Sequence, residues 1–137
     1  MTGILLVTHG DLGTTLIETV ELILGKEPDH LLAVSIDIKQ DPDNLRKKIQ
    51  KGISKIRTDN GVIIFTDMFG GTPSNLSYSF LEEGQIEVIS GVNLPILLRA
   101  LTARKKLDGE ALSKSLVEHG KRSISLASGI LKGTGRD

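Results

Sequence analysis

The chain has 137 residues, 39% of them hydrophobic, with 17 Lys plus Arg against 17 Asp plus Glu and no cysteine. That length suits one domain whose core stands without staples, and the missing cysteine excludes disulfides, thiolate metal sites and cysteine nucleophiles. A formal net charge of zero gives no broad footprint for nucleic acid or an acidic membrane, and no run is long enough to span a bilayer or to act as a signal peptide, so a soluble, cytoplasmic domain is expected.

In chain order, Ile4-Leu5-Leu6-Val7 comes first. Its unbroken apolar character is that of a strand buried on both faces. Leu16, Ile17, Val20, Ile23 and Leu24 then recur at helical spacing, and Gly25 stands where a helix would end. Leu31–Val34 reads as a second strand. Asp41-Pro42, a cap followed by a first-turn proline, opens a second helix striped by Leu45, Ile49, Ile53 and Ile56. Val62–Phe65 is the third strand, Thr72-Pro73 opens the third helix, Ile86–Ile89 is the fourth strand, and Asn93-Leu94-Pro95 opens the fourth helix. A further helix is expected over Glu110–His119, capped by Asp108 and stopped by Gly120. Ser123–Ser128 alternates polar and apolar, which predicts a fifth strand at an edge, running antiparallel. Residues 129–137 hold three glycines and read as a flexible tail, leaving 1–128 as the domain. Alternating strands and helices predict an α/β fold, a mostly parallel four-stranded sheet with helices on both faces.

In open α/β sheets ligands bind beyond the carboxyl ends of the strands. Strand one is followed there by Thr8-His9-Gly10-Asp11, strand two by Asp37, strand three by Asp67-Met68-Phe69-Gly70-Gly71-Thr72-Pro73, and strand four by Ser90-Gly91-Val92-Asn93. His9 and Asp67, 58 positions apart, are thereby expected to meet. A carboxylate on one ring nitrogen fixes the tautomer and frees the other as a nucleophile. Gly70 and Gly71 let backbone amides approach an anion, and the Thr72 hydroxyl adds a donor. The loop is neither a Walker loop nor a Rossmann fingerprint. With a histidine at the same edge it reads as a phosphohistidine site. His30, before strand two, and His119, at a helix end, read as structural. Arg99 and Arg104, in the fourth helix, are solvated charges by default, with a role at a partner surface as the alternative.

Three blocks, Leu5–Gly10, Thr66–Asn75 and Glu87–Leu97, resemble the mannose-type (mannose/fructose/sorbose) IIA component of the bacterial phosphoenolpyruvate:sugar phosphotransferase system. The likeness runs from Ile4 to about Arg104. It implies a phosphocarrier, a phosphotransferase that takes a phosphoryl group from phospho-HPr on His9 and passes it to a histidine of a IIB domain, serving membrane IIC and IID subunits indirectly. Asp67 matches the family's active-site aspartate and Thr72 its small hydroxyl residue after the glycine pair. The resemblance also implies a homodimer whose last strand, here Ser123–Ser128, is exchanged between subunits. Many members carry a tryptophan where this chain has Met68-Phe69, which would meet the partner together with Arg99 and Arg104. Many also continue into a IIB domain, whereas this chain stops at Asp137. No cofactor or metal is expected, because donor and acceptor are both activated phosphoramidates.

Other readings compete. A histidine phosphatase wants an Arg before its histidine and a second catalytic histidine; Thr8 precedes His9. A chelatase also wants a second histidine. A receiver domain needs an acidic cluster after strand one and a late lysine. A phosphorylation-dependent regulatory module, or a phosphoryl-donor subunit for dihydroxyacetone kinase, would use the same His9 chemistry.

Overall fold

The computed structural model describes residues 1–133. Four strands, β1 (Gly3–His9), β2 (Leu31–Ile36), β3 (Val62–Thr66) and β4 (Ile86–Ser90), form one parallel sheet in the order β2-β1-β3-β4. The helices are α1 (Leu12–Leu24), α2 (Pro42–Ile56), α3 (Thr72–Tyr78), α4 (Leu94–Ala103), α5 (Gly109–Arg122) and α6 (Ala127–Leu131). The α/β architecture expected from the apolar runs is therefore present, with helices on both faces.

The central strands explain their own composition. From Gly3 to Thr8 every residue of β1 is buried, and so is every residue of β3, because each strand has a neighbour on either side and helices above and below. Alternate residues feed two cores. Ile4, Leu6, Ile63 and Phe65 pack with Val20 of α1, Leu97 of α4 and Leu112 and Leu116 of α5. Leu5, Val7, Val62 and Ile64 pack on the other face with Leu45, Ile49 and Ile53 of α2 and Leu76 of α3. At the sheet edge, β4 alternates more openly and exposes Glu87.

The helix boundaries follow local signals. Gly25 ends α1 in the left-handed conformation, φ 72°, and its N–H bonds the Glu21 carbonyl. Asp41-Pro42 and Asn93-Leu94-Pro95 mark the starts of α2 and α4, and the Asn93 side chain accepts from the Ile96 N–H. Asp108 sits at the start of α5, but Gly120 does not stop that helix, which continues to Arg122. A Cβ on Gly120 would lie 3.2 Å from Ile96 Cδ1, so this glycine permits the close approach of α5 to α4.

The C-terminal region differs from expectation. Ser123–Ser128 forms no strand within the chain: 124–126 are irregular and α6 begins at Ala127. Ile124 is 84% exposed and Leu126 75%, so the alternating segment joins no sheet among the described residues. The tail expected over 129–137 is helical as far as Leu131, and 134–137 lie outside the described residues. No helix among the described residues is long and apolar enough to cross a membrane.

Candidate functional site

Parallel pairing brings the four strand ends to one edge, and β1 and β3 are direct neighbours there. His9 ends β1 and Asp67 follows β3. The Asp67 Oδ2 atom accepts two bonds from His9, one from the backbone N–H at 3.0 Å and one from ring Nδ1 at 2.7 Å. Its Oδ1 atom accepts from the Met68 N–H at 3.1 Å. Burial would raise the Asp67 carboxyl, but the backbone and ring bonds from His9, with the charge of that ring, outweigh it and hold the group below its ordinary value. An ionised carboxylate only accepts, so the bond calls for a ring proton on Nδ1, and in the uncharged form of the ring the lone pair then lies on Nε2.

The two side chains differ in access, His9 being 41% exposed and Asp67 only 11%. The carboxylate is thus an internal anchor and the imidazole its exposed partner. Gly71 lies against the ring. A Cβ there would stand 3.0 Å from His9 Cε1 and 3.6 Å from Nε2, so the absence of a side chain lets the main chain reach the free nitrogen. Gly70, at φ 83°, turns the loop just before it. The N–H groups of Gly70 and Gly71 have no acceptor among the described residues, and neither does the Thr72 hydroxyl. A nucleophilic nitrogen beside unpaired donors suits transfer of an anionic group.

The family model for the PTS system fructose IIA component (EIIA-man) matches residues 3–117. The chain belongs to the mannose-type IIA family. Its relatives include the PTS system fructose-specific EIIA component of Bacillus subtilis, 33% identical over 93% of this chain and 88% of that protein. The PTS system mannose-specific EIIAB component of Escherichia coli is 32% identical over 74% of this chain, which spans 32% of that longer protein. A solved phosphotransferase system component EIIA from Streptococcus agalactiae superposes with a TM-score of 0.82 at 23% identity, covering 93% of this chain and 98% of the other, a likeness of fold.

Within this mannose-type IIA chain the remaining expected residues part company. Met68 and Phe69 are 54% and 79% exposed on the loop that holds Asp67, and the Phe69 ring leans on Tyr78 at a centroid distance of 6.4 Å. Arg99 is exposed on α4. Arg104, expected at a partner surface, is instead buried at the opposite edge of the sheet. Its guanidinium donates to the carbonyls of Thr2, Asp29 and His30, tying the end of α4 to the starts of β1 and β2. A partner cannot reach it there. The sequence put Arg104 in the fourth helix, whereas it caps the end of α4 and turns its guanidinium inward. His30 lies at that same edge, where its carbonyl also accepts from the Ile4 N–H.

Three hydroxyls beneath the loop were not singled out in sequence. Thr66 and Ser90 are register partners at the ends of β3 and β4, and Ser74 lies in the first turn of α3. Their oxygens are 2.6 to 3.2 Å apart. The available signal was a polar residue closing each of two apolar strands, Val62–Thr66 and Ile86–Ser90. No three His, Cys, Asp or Glu side chains among the described residues gather as a metal site would require.

Proposed function

We propose that His9 is the phosphorylated residue of a sugar phosphotransferase IIA component, accepting its phosphoryl group from phospho-HPr and passing it to a histidine of a IIB domain. The observation that carries this is the bond from His9 Nδ1 to Asp67 Oδ2 at 2.7 Å, with Gly71 against the other side of the ring. In the forward step the Nε2 lone pair forms a P–N bond as the P–N bond of the donor histidine breaks. The donor imidazole leaves with the electron pair. Asp67 keeps the Nδ1 proton in place and stabilises the positive charge that builds on the ring. The amides of Gly70 and Gly71 and the Thr72 hydroxyl neutralise the oxygens of the group in flight, since phosphoryl transfer is served mainly by positioning and fixed dipoles. Met68, Phe69 and Arg99 are the residues offered to the protein partners.

Incubation with phosphoenolpyruvate, enzyme I and HPr, followed by mass spectrometry, tests the assignment. One phosphoryl group on His9 is expected, and none in His9→Ala. Labelling of another residue, or retained labelling in that variant, would overturn it. Subsequent mixing with IIB should discharge the phosphorylated chain. A phosphorylated chain that IIB leaves charged would point to the regulatory or dihydroxyacetone kinase reading.

A further inference from the structure

We propose that Ser74 is a positioning residue for the His9–Asp67 pair, acting through the main chain of the loop; this rests on the phosphocarrier reading of His9. Ser74 and Thr66 are both fully buried. Ser74 Oγ donates to the Met68 carbonyl at 2.5 Å. It is also 2.6 Å from Thr66 Oγ1 and 3.2 Å from Ser90 Oγ. A serine hydroxyl has one proton, and that proton is committed to Met68. With that proton committed, the short contact to Thr66 takes its proton from Thr66, which also donates toward Ser90 Oγ and so shares its single proton between the two. Ser90 closes the triangle, 2.9 Å from Thr66 Oγ1.

The consequence lies one peptide away. Met68 is gripped at both ends: its N–H bonds Asp67 Oδ1 and its carbonyl is held by Ser74. Among the described residues, Ser74 makes the hydrogen bond that ties the backbone of 68–70 to a neighbouring element. Asp67 Oδ2 is the atom that sets the His9 ring. Rotation of the Met68 peptide would swing Oδ1 and with it the carboxylate plane. Thr66, Ser74 and Ser90 thus anchor Asp67 to β3, α3 and β4 together, three elements that share no strand with His9. Burial of Ser74 and Thr66 matters here, because removing the Ser74 hydroxyl takes the protein donor from the Met68 carbonyl and leaves the buried Thr66 hydroxyl short of a partner.

The test pairs Ser74→Ala with the isosteric Thr66→Val, using the full chain and phospho-HPr as donor. Ser74→Ala should slow phosphoryl acceptance at saturating phospho-HPr about tenfold, since small misplacements of reacting groups are costly. The donor concentration for half-maximal rate should change less than the rate does, because the loop shift moves Met68 and Phe69 of the partner surface while Arg99 on α4 stays in place. Thr66→Val should show a smaller loss, about threefold, as the hydroxyl it supports keeps its own donor role. Ring-nitrogen NMR of His9 supplies a second readout independent of transfer. The wild-type ring should show one tautomer with its proton on Nδ1, and Ser74→Ala a mixture. A folded Ser74→Ala with the wild-type rate and tautomer would overturn the proposal. If Ser74→Ala does not fold, Thr66→Val decides, and wild-type behaviour there overturns it equally. If the wild-type chain takes no phosphate at all, the phosphocarrier reading fails, while the tautomer comparison still supports or overturns the positioning role.

Discussion

Asp67 binds His9 through a single oxygen that accepts from both its main chain and its ring, so the imidazole is held in position and in angle by the same atom. That arrangement fixes the sign of a pH effect. A carboxyl held below its ordinary value in the folded chain contributes stability that is fully present above its unfolded value of about 3.9 and is lost as pH falls through the lower folded value. Asp67→Asn should therefore flatten the acid limb of the unfolding profile below about pH 4. Urea denaturation across that range measures it, and superimposable acid limbs would show that the carboxylate gains nothing from His9. Asp67→Ala should also slow transfer to His9 by about a hundredfold, because the ring loses its orientation. Rapid-quench kinetics with phospho-HPr would detect it, and an unchanged rate would remove Asp67 from the mechanism. Sequence position made the pairing of His9 with Asp67 legible, since both follow buried strands. Which carboxylate oxygen serves the ring, and which hydroxyls stand behind the loop, was not, because contacts between the ends of different strands have no local signature.

At the scale of elements, glycine decides how closely helices lie on the sheet. A Cβ on Gly13 would stand 3.1 Å from Thr8 Oγ1 and 3.2 Å from Leu6 Cβ, and Thr8 Oγ1 accepts the Gly13 N–H at 2.8 Å. The first turn of α1 is thereby docked beside the residue before His9. Gly13→Ala should lose about 1–3 kcal/mol, the usual cost of overfilling a packed contact, even though alanine is the better helix former. The midpoint of chemical denaturation measures this, and a stabilised variant would show that α1 has room to shift. The five helices read from stripes, caps and prolines are present, but two limits were misplaced. Gly120 was read as a stop and is a close-packing position; Ser123–Ser128 was read as a strand and is not one in the single chain. For Gly120 the local pattern was real and the neighbouring α4 determined its meaning.

At the scale of the whole molecule, β4 forms one of the two edges of the sheet. Among the described residues β3 is its one strand neighbour in the sheet, and a groove of about 840 Å³ runs between it and α5, lined by Ile86, Val88, Lys114 and Val117 among others. The exposed Ile124 and Leu126 follow α5 directly. Exposed strand edges are ordinarily covered, and we propose that the homodimer implied by the family covers this one, with 123–128 of each subunit laid on the partner. Light scattering should then show a dimer for the full chain and a monomer after deletion from Ser123 onward. A dimer that survives the deletion would place the interface elsewhere.

The order of elements and the sheet edge where His9 and Asp67 meet were legible in the amino-acid sequence. Both rest on patterns read over a few residues: unbroken apolar runs for buried strands, spaced stripes for helices, and the rule that parallel strands end together. The motif around His9 and the Gly-Gly-Thr-Pro loop carried the family likeness in the same local way. Packing alone settled that Arg104 is buried at the end of α4, why Gly13, Gly71 and Gly120 are glycines, and that Thr66, Ser74 and Ser90 meet. These depend on distances between atoms far apart in the chain, and such distances exist only once the two cores have packed on opposite faces of the sheet.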